Sequence, residues 1–114
     1  MSAPDRPGVS DTPRAFEGPP SLEAVLTVLR AYQPRAREVG VELVGVVGSV
    51  ARGEAGPESD VDVVFDVISE LDYWRLGGLQ MDIQDSLNRP VDLVDRQMLP
   101  PDRWAWMGRD MAPL

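Results

Sequence analysis

The chain has 114 residues, 43 % of them hydrophobic and 26 % charged, with a formal net charge of -8, a balance that predicts one compact domain with a modest core. It holds neither cysteine nor histidine, which excludes disulfides, thiolate metal sites and an imidazole base, and leaves carboxylates, hydroxyls, arginine, backbone amides and bound metal for any chemistry. The acidic balance argues against a direct grip on nucleic acid, which needs cationic side chains at its phosphates, and suits a basic protein partner better.

Residues 1–20 carry Pro4, Pro7, Pro13, Pro19 and Pro20 and no helical or strand period, so they are expected to form a disordered leader to a single domain over residues 21–114. With no secretion signal and no stretch near the roughly 20 apolar residues of a membrane span, the expected setting is cytoplasmic. Leu22, Val25, Leu26 and Leu29 recur at helical spacing behind Ser21 as N-cap. Pro34 is expected to kink or end that helix, with a continuation to Val39. Gly40 then stops it, and Val41 to Val47 reads as a buried strand.

A segment rich in glycine, proline and small residues covers Gly48 to Ser59 and is expected to form a loop or short helical turn. The second strand, Asp60 to Val67, alternates: Val61, Val63, Phe65 and Val67 face one way, and Asp60, Asp62, Val64 and Asp66 the other. Asp72 caps a helix from about Tyr73 to Asn88, with Leu76, Leu79, Ile83 and Leu87 on its buried stripe and Gly77 and Gly78 weakening its interior. Tyr73 and Trp74 are expected to pack in the core or at the helix edge. Pro90 introduces a third strand, Val91 to Asp95. The remainder opens on Pro100 and Pro101 and carries Trp104, Trp106, Met107 and Met111 on a short helix, which either closes the domain's core or forms a patch for a homodimer or hetero-complex. The expected architecture is α/β, a small mixed sheet with helices packed on one face and a carboxylate-lined face left open.

The chemistry concentrates in Gly48-Ser49-Val50-Ala51-Arg52-Gly53 and Ser59-Asp60-Val61-Asp62. Backbone amides in a glycine turn after a buried strand hold phosphate oxygens, and glycine permits close approach. Asp60 and Asp62, about 7 Å apart on one strand face, can share hard divalent cations. Asp92, on a strand brought alongside, would complete a three-carboxylate set, although Asp95 lies close by. Magnesium suits such oxygen ligands and commonly binds through one or two carboxylates plus substrate phosphates. A P-loop is excluded because Glu54 and Ala55 stand where Lys and Ser/Thr are required. An EF-hand starting at Asp60 is excluded by Phe65 and Leu71 where Gly and Glu are required.

Both motifs resemble those of the minimal nucleotidyltransferases in the DNA polymerase β superfamily, whose signature is G-S-x-A-R-G, a spacer, then S-D-x-D. Every fixed position matches, and Asp92 in Pro90-Val91-Asp92-Leu93-Val94 resembles the later family carboxylate. The resemblance implies a nucleotidyltransferase fold and binding of ATP or another nucleoside triphosphate, with Gly48, Ser49, Arg52, Gly53 and Ser59 toward the nucleotide. It further implies two Mg2+ ions on Asp60, Asp62 and Asp92, with Asp92 also helping to activate the acceptor hydroxyl. Such domains are commonly encoded beside a HEPN-type toxin as its antitoxin, and some transfer AMP from ATP to a tyrosine of that toxin. The expected activity is therefore transfer of a nucleotide to a hydroxyl of a partner protein. The rival is a binding module that neutralises its partner by contact alone.

Overall fold

A computed structural model describes residues 20–114; apart from Pro20, the expected leader lies outside the described residues. Helix α1 spans Leu22–Val39, and the Ser21 hydroxyl accepts from the Ala24 N–H at 3.2 Å. Pro34 does not end this helix. Continuation buries Ala36 and Val39. The turn before Pro34 is held from outside: the Gln33 amide donates to the Leu43 carbonyl at 2.9 Å and accepts from the Leu43 N–H at 2.8 Å. Gly40 closes α1 at φ 112°. A Cβ there would also stand 2.6 Å from the Glu70 carbonyl oxygen, so only glycine fits.

Strand β1 is Val41–Val47, the short helix α2 is Ser49–Arg52, and strand β2 is Val61–Val67. Helix α3 runs Tyr73–Leu87 beneath an Asp72 carboxylate that accepts from the Trp74 and Arg75 N–H groups, and it ends on Asn88 at φ 57°. Gly77 and Gly78 do not interrupt it, because Leu79, Ile83 and Leu87 are fully buried along one stripe. Strand β3 is Val91–Asp95, helix α4 is Pro101–Met107, and a two-residue strand β4, Ala112–Pro113, closes the chain. Among the described residues no helix is long and apolar enough to cross a membrane.

The sheet order is β3-β2-β1-β4. β1 is antiparallel to both β2 and β4, whereas β2 and β3 run parallel, so the sheet is mixed as expected. The core joins α1 and α3 to one face through Leu29, Leu79, Ile83, Leu43, Val63 and Phe65. Tyr32 ties the two helices together, its hydroxyl donating to the Asp82 carbonyl at 3.2 Å and lying 2.7 Å from that of Ser86.

The opposite face is not uniformly open. Arg96 reaches over it to pair with Asp66, and its guanidinium lies 5.4 Å from the Trp104 ring centroid. A Cβ on Gly45 would stand 2.8 Å from Met111 Cγ. The segment after β3 therefore straps the Asp66 end of that face, while Asp62 at the other end stays half-buried. Two side chains depart from expectation. Tyr73 and Trp74 are 76 % and 90 % exposed, because the capped first turn of α3 directs them away from the stripe that begins at Leu76. Trp104 is half-buried in the strap, and Trp106 is exposed.

Candidate active site

Register brings the carboxylates together. In the parallel β2–β3 pair Asp62 stands opposite Asp92, and in the β1–β2 pair it stands opposite Val47, the last residue before Gly48. Asp60 precedes β2, and Asp62 feels its charge as well as that of Asp92. Burial pushes the Asp62 carboxyl above the ordinary carboxylate range, repulsion from Asp92 and then Asp60 adds to this, and a hydrogen bond with Asp92 contributes in the same direction. Asp95, in register with Phe65, instead accepts from the Gln97 N–H at 3.0 Å. Asp66 is bound to Arg96 through both carboxylate oxygens.

The glycine turn meets these carboxylates directly. Gly48 adopts φ 82° and ψ −156°, a region open essentially to glycine alone. A Cβ there would lie 2.7 Å from Asp62 Oδ2, so the missing side chain is what lets the carboxylate rest against the main chain. Ser49 begins α2 and Gly53 ends it at φ 73°, with open space where its side chain would stand. Arg52 Nε donates to Glu54 at 3.0 Å, turning the guanidinium along the loop. Ser59 Oγ accepts from the Gly56 N–H at 2.8 Å and so closes the turn that delivers Asp60.

Sequence reasoning missed two supports of this arrangement. Arg89, 8 % exposed, donates to the Pro57 carbonyl at 3.3 Å and ties the loop to the end of α3. Gln80 and Gln84 hold Val91, the residue before Asp92. One period-four pair of glutamines on an amphipathic helix gives no sign of which backbone it will meet. A cavity of about 530 Å³ opens at the far end of the sheet, with Arg30, Gln33, Asp66 and Arg96 in its wall. It holds none of the motif residues, and Asp66 and Arg96 in it are bound to each other.

Among the described residues no three acidic side chains are drawn close enough to enclose a metal ion unaided. Asp62 and Asp92 stand side by side in the β2–β3 register, and Asp60 and Asp92 both repel the Asp62 charge. That donor set still fits magnesium, which commonly takes one or two carboxylates and fills its remaining positions with phosphate oxygens and water. Charge repulsion concentrated on Asp62 is what a divalent cation relieves.

The nucleotidyltransferase domain profile matches residues 25–105. Protein adenylyltransferase MntA of Thermococcus cleftensis is 35 % identical over 80 residues, covering 69 % of this chain and 81 % of that protein. A protein of Methanocaldococcus jannaschii, also described as a protein adenylyltransferase, is 28 % identical over 80 residues, covering 69 % of this chain and 93 % of that protein. A solved structure described as a minimal nucleotidyltransferase superposes with a TM-score of 0.70 at 29 % identity, covering 82 % of this chain and 96 % of that one. A toxin–antitoxin structure with AMP-PNP shares the fold, with a TM-score of 0.55 at 20 % identity over 80 % of this chain and 69 % of that one. The glycine turn against Asp62, the Asp62–Asp92 pairing and a profile that spans most of the sequence lead to one conclusion: this chain belongs to the nucleotidyltransferase domain family and is a nucleotidyltransferase.

Proposed function

We propose that this chain transfers AMP from ATP to a hydroxyl of a partner protein, and that the partner is a HEPN-type toxin which the transfer silences. The observation that carries the reading is the register of Asp62 with Asp92 beside a side-chain-free Gly48. It is supported by the likeness to the adenylyltransferases above.

Asp60, Asp62 and Asp92 would hold divalent magnesium. When bound, two such ions neutralise the triphosphate and stabilise the attacking and leaving oxygens of an in-line displacement. The main-chain amides of Gly48 and Ser49 face the phosphates, with Gly53 and Ser59 shaping the turn and Arg52 at its rim. Asp92, more exposed than Asp62, takes the acceptor hydroxyl proton. The acceptor oxygen then bonds to the α-phosphorus, and the bond from that phosphorus to pyrophosphate breaks.

The test is to purify the chain with its co-purifying partner, add magnesium and each α-labelled nucleoside triphosphate, and follow label and intact mass. One added AMP on the partner, absent with Asp62→Asn, is the expected result. A stable, inhibited partner with no label under any nucleotide overturns transfer and leaves neutralisation by contact.

A further inference from the structure

β3 is an edge strand, and it carries Asp92. In a parallel ladder the N–H and C=O of one residue point to the same side. Asp92 sits in register with β2, and the backbone of its neighbour Val91 turns outward, where an edge strand ordinarily meets water. Here both groups of Val91 are taken by side chains of α3. Gln84 Oε1 accepts from the Val91 N–H at 3.1 Å, and Gln80 Nε2 donates to the Val91 carbonyl at 2.6 Å. The two glutamines are four residues apart, one turn of helix, so they present their amides on one side.

Gln84 does more than reach the strand. Its own carbonyl accepts from the Asn88 N–H and, at 3.3 Å, from the Arg89 N–H. The end of α3, the left-handed Asn88 turn and the first residue of β3 are therefore joined at one residue. On the inner side the Val61 N–H donates to the Pro90 carbonyl at 3.0 Å. β3 enters the sheet held on both edges immediately ahead of Asp92.

We infer that Gln80 and Gln84 are positioning residues for Asp92, clamping the start of β3 so that Asp92 is presented to Asp62 at the separation a bridging cation needs. Ligating side chains must hold their geometry to about half an ångström. Groups that orient ligands from behind typically change metal affinity 10- to 100-fold when removed. Asp62 needs no such clamp because β2 is internal to the sheet. The inference rests on the reading of Asp62 and Asp92 as metal-holding carboxylates.

The experiment uses the full chain and Mn2+ as probe, by calorimetric titration, together with amide hydrogen exchange at Val91. Gln84→Met and Gln80→Met are each expected to weaken Mn2+ at least 10-fold. Gln84→Met also speeds exchange at Val91. Gln84→Glu, whose carboxylate still accepts from Val91, is expected to stay within about threefold of the parent. All titrations are run well below each variant's melting temperature, so lost stability alone cannot mimic the result. Faster exchange with unchanged Mn2+ affinity in the Met variants overturns the positioning role while leaving the metal site intact. If Asp62→Asn binds Mn2+ as tightly as the parent, the metal reading itself falls, and the positioning role with it.

Discussion

Asp62 and Asp66 lie on the same face of the same strand, four residues apart, and have opposite surroundings. Asp66 meets a guanidinium that is itself stacked beside Trp104. Asp62 meets two other carboxylates and a bare glycine. One end of the face is neutralised by the chain itself, and the other is left with charge that its own residues do not balance. A fold gains nothing by crowding like charges on a half-buried carboxyl. That contrast, more than the presence of aspartates, marks the Asp62 end as the place for a cationic ligand.

The largest expected effect separates the two residues by activity. Asp62→Asn should lower nucleotide transfer by on the order of 10³-fold, since metal-borne charge stabilisation is worth several kcal/mol in such reactions. Asp66→Asn should leave transfer within about threefold of the parent once corrected for folded fraction. Label transfer to the partner measures both, and equal losses would show that the whole face acts as one site.

Next come the two glycines of the turn. Gly48→Ala places a methyl 2.7 Å from Asp62 Oδ2 in a backbone region hostile to alanine, so transfer should fall about 100-fold, and stability by about 1–3 kcal/mol. Gly53→Ala meets nothing within 4 Å and should cost only the left-handed backbone penalty, about 1–2 kcal/mol, with transfer little changed. Denaturant melts and label transfer on the pair resolve the difference.

On stability the two aspartates should differ in sign. Asp66 and Arg96 keep 24 % and 35 % of their side-chain surfaces exposed, between the surface and buried regimes. Asp66→Asn should therefore destabilise by about 1–2 kcal/mol and loosen the strap, read as faster amide exchange at Met111 and Leu114.

Much of this was legible in the residues themselves. β1, β3 and both helix caps follow from Gly40, Ser21, Asp72 and the runs of valine and leucine, because those signals are local. Of the three-carboxylate set expected from the motifs, strand register sets Asp62 opposite Asp92, while among the described residues the set does not close around Asp60, which precedes β2. What escaped sequence reasoning depends on contacts distant along the chain. β4 has two residues, one of them proline, too short for any period to register. The Arg96–Asp66 bridge joins residues 30 positions apart. The exposure of Trp74 overrides the general tendency of tryptophan to be covered, because the cap geometry of α3 points it outward.

The smallest effect gives the sharpest contrast, because it has the opposite sign. Folding holds a proton on Asp62 more tightly than the unfolded chain does. Through this group, then, stability is greatest below the unfolded carboxylate value and is lost as pH rises through the raised folded value. At neutral pH the ionised Asp62 is a burden that asparagine does not carry. In EDTA, Asp62→Asn should be more stable than the parent at neutral pH by less than about 1 kcal/mol, since solvent screens a carboxyl this exposed. The gap should close as the pH is lowered to about 4, the ordinary range of an aspartate. Magnesium added at neutral pH should raise the melting temperature of the parent and not of the variant. A variant less stable than the parent at neutral pH in EDTA would mean that Asp62, like Asp66, is held by a favourable partner, and the contrast between the two ends of the strand would be lost.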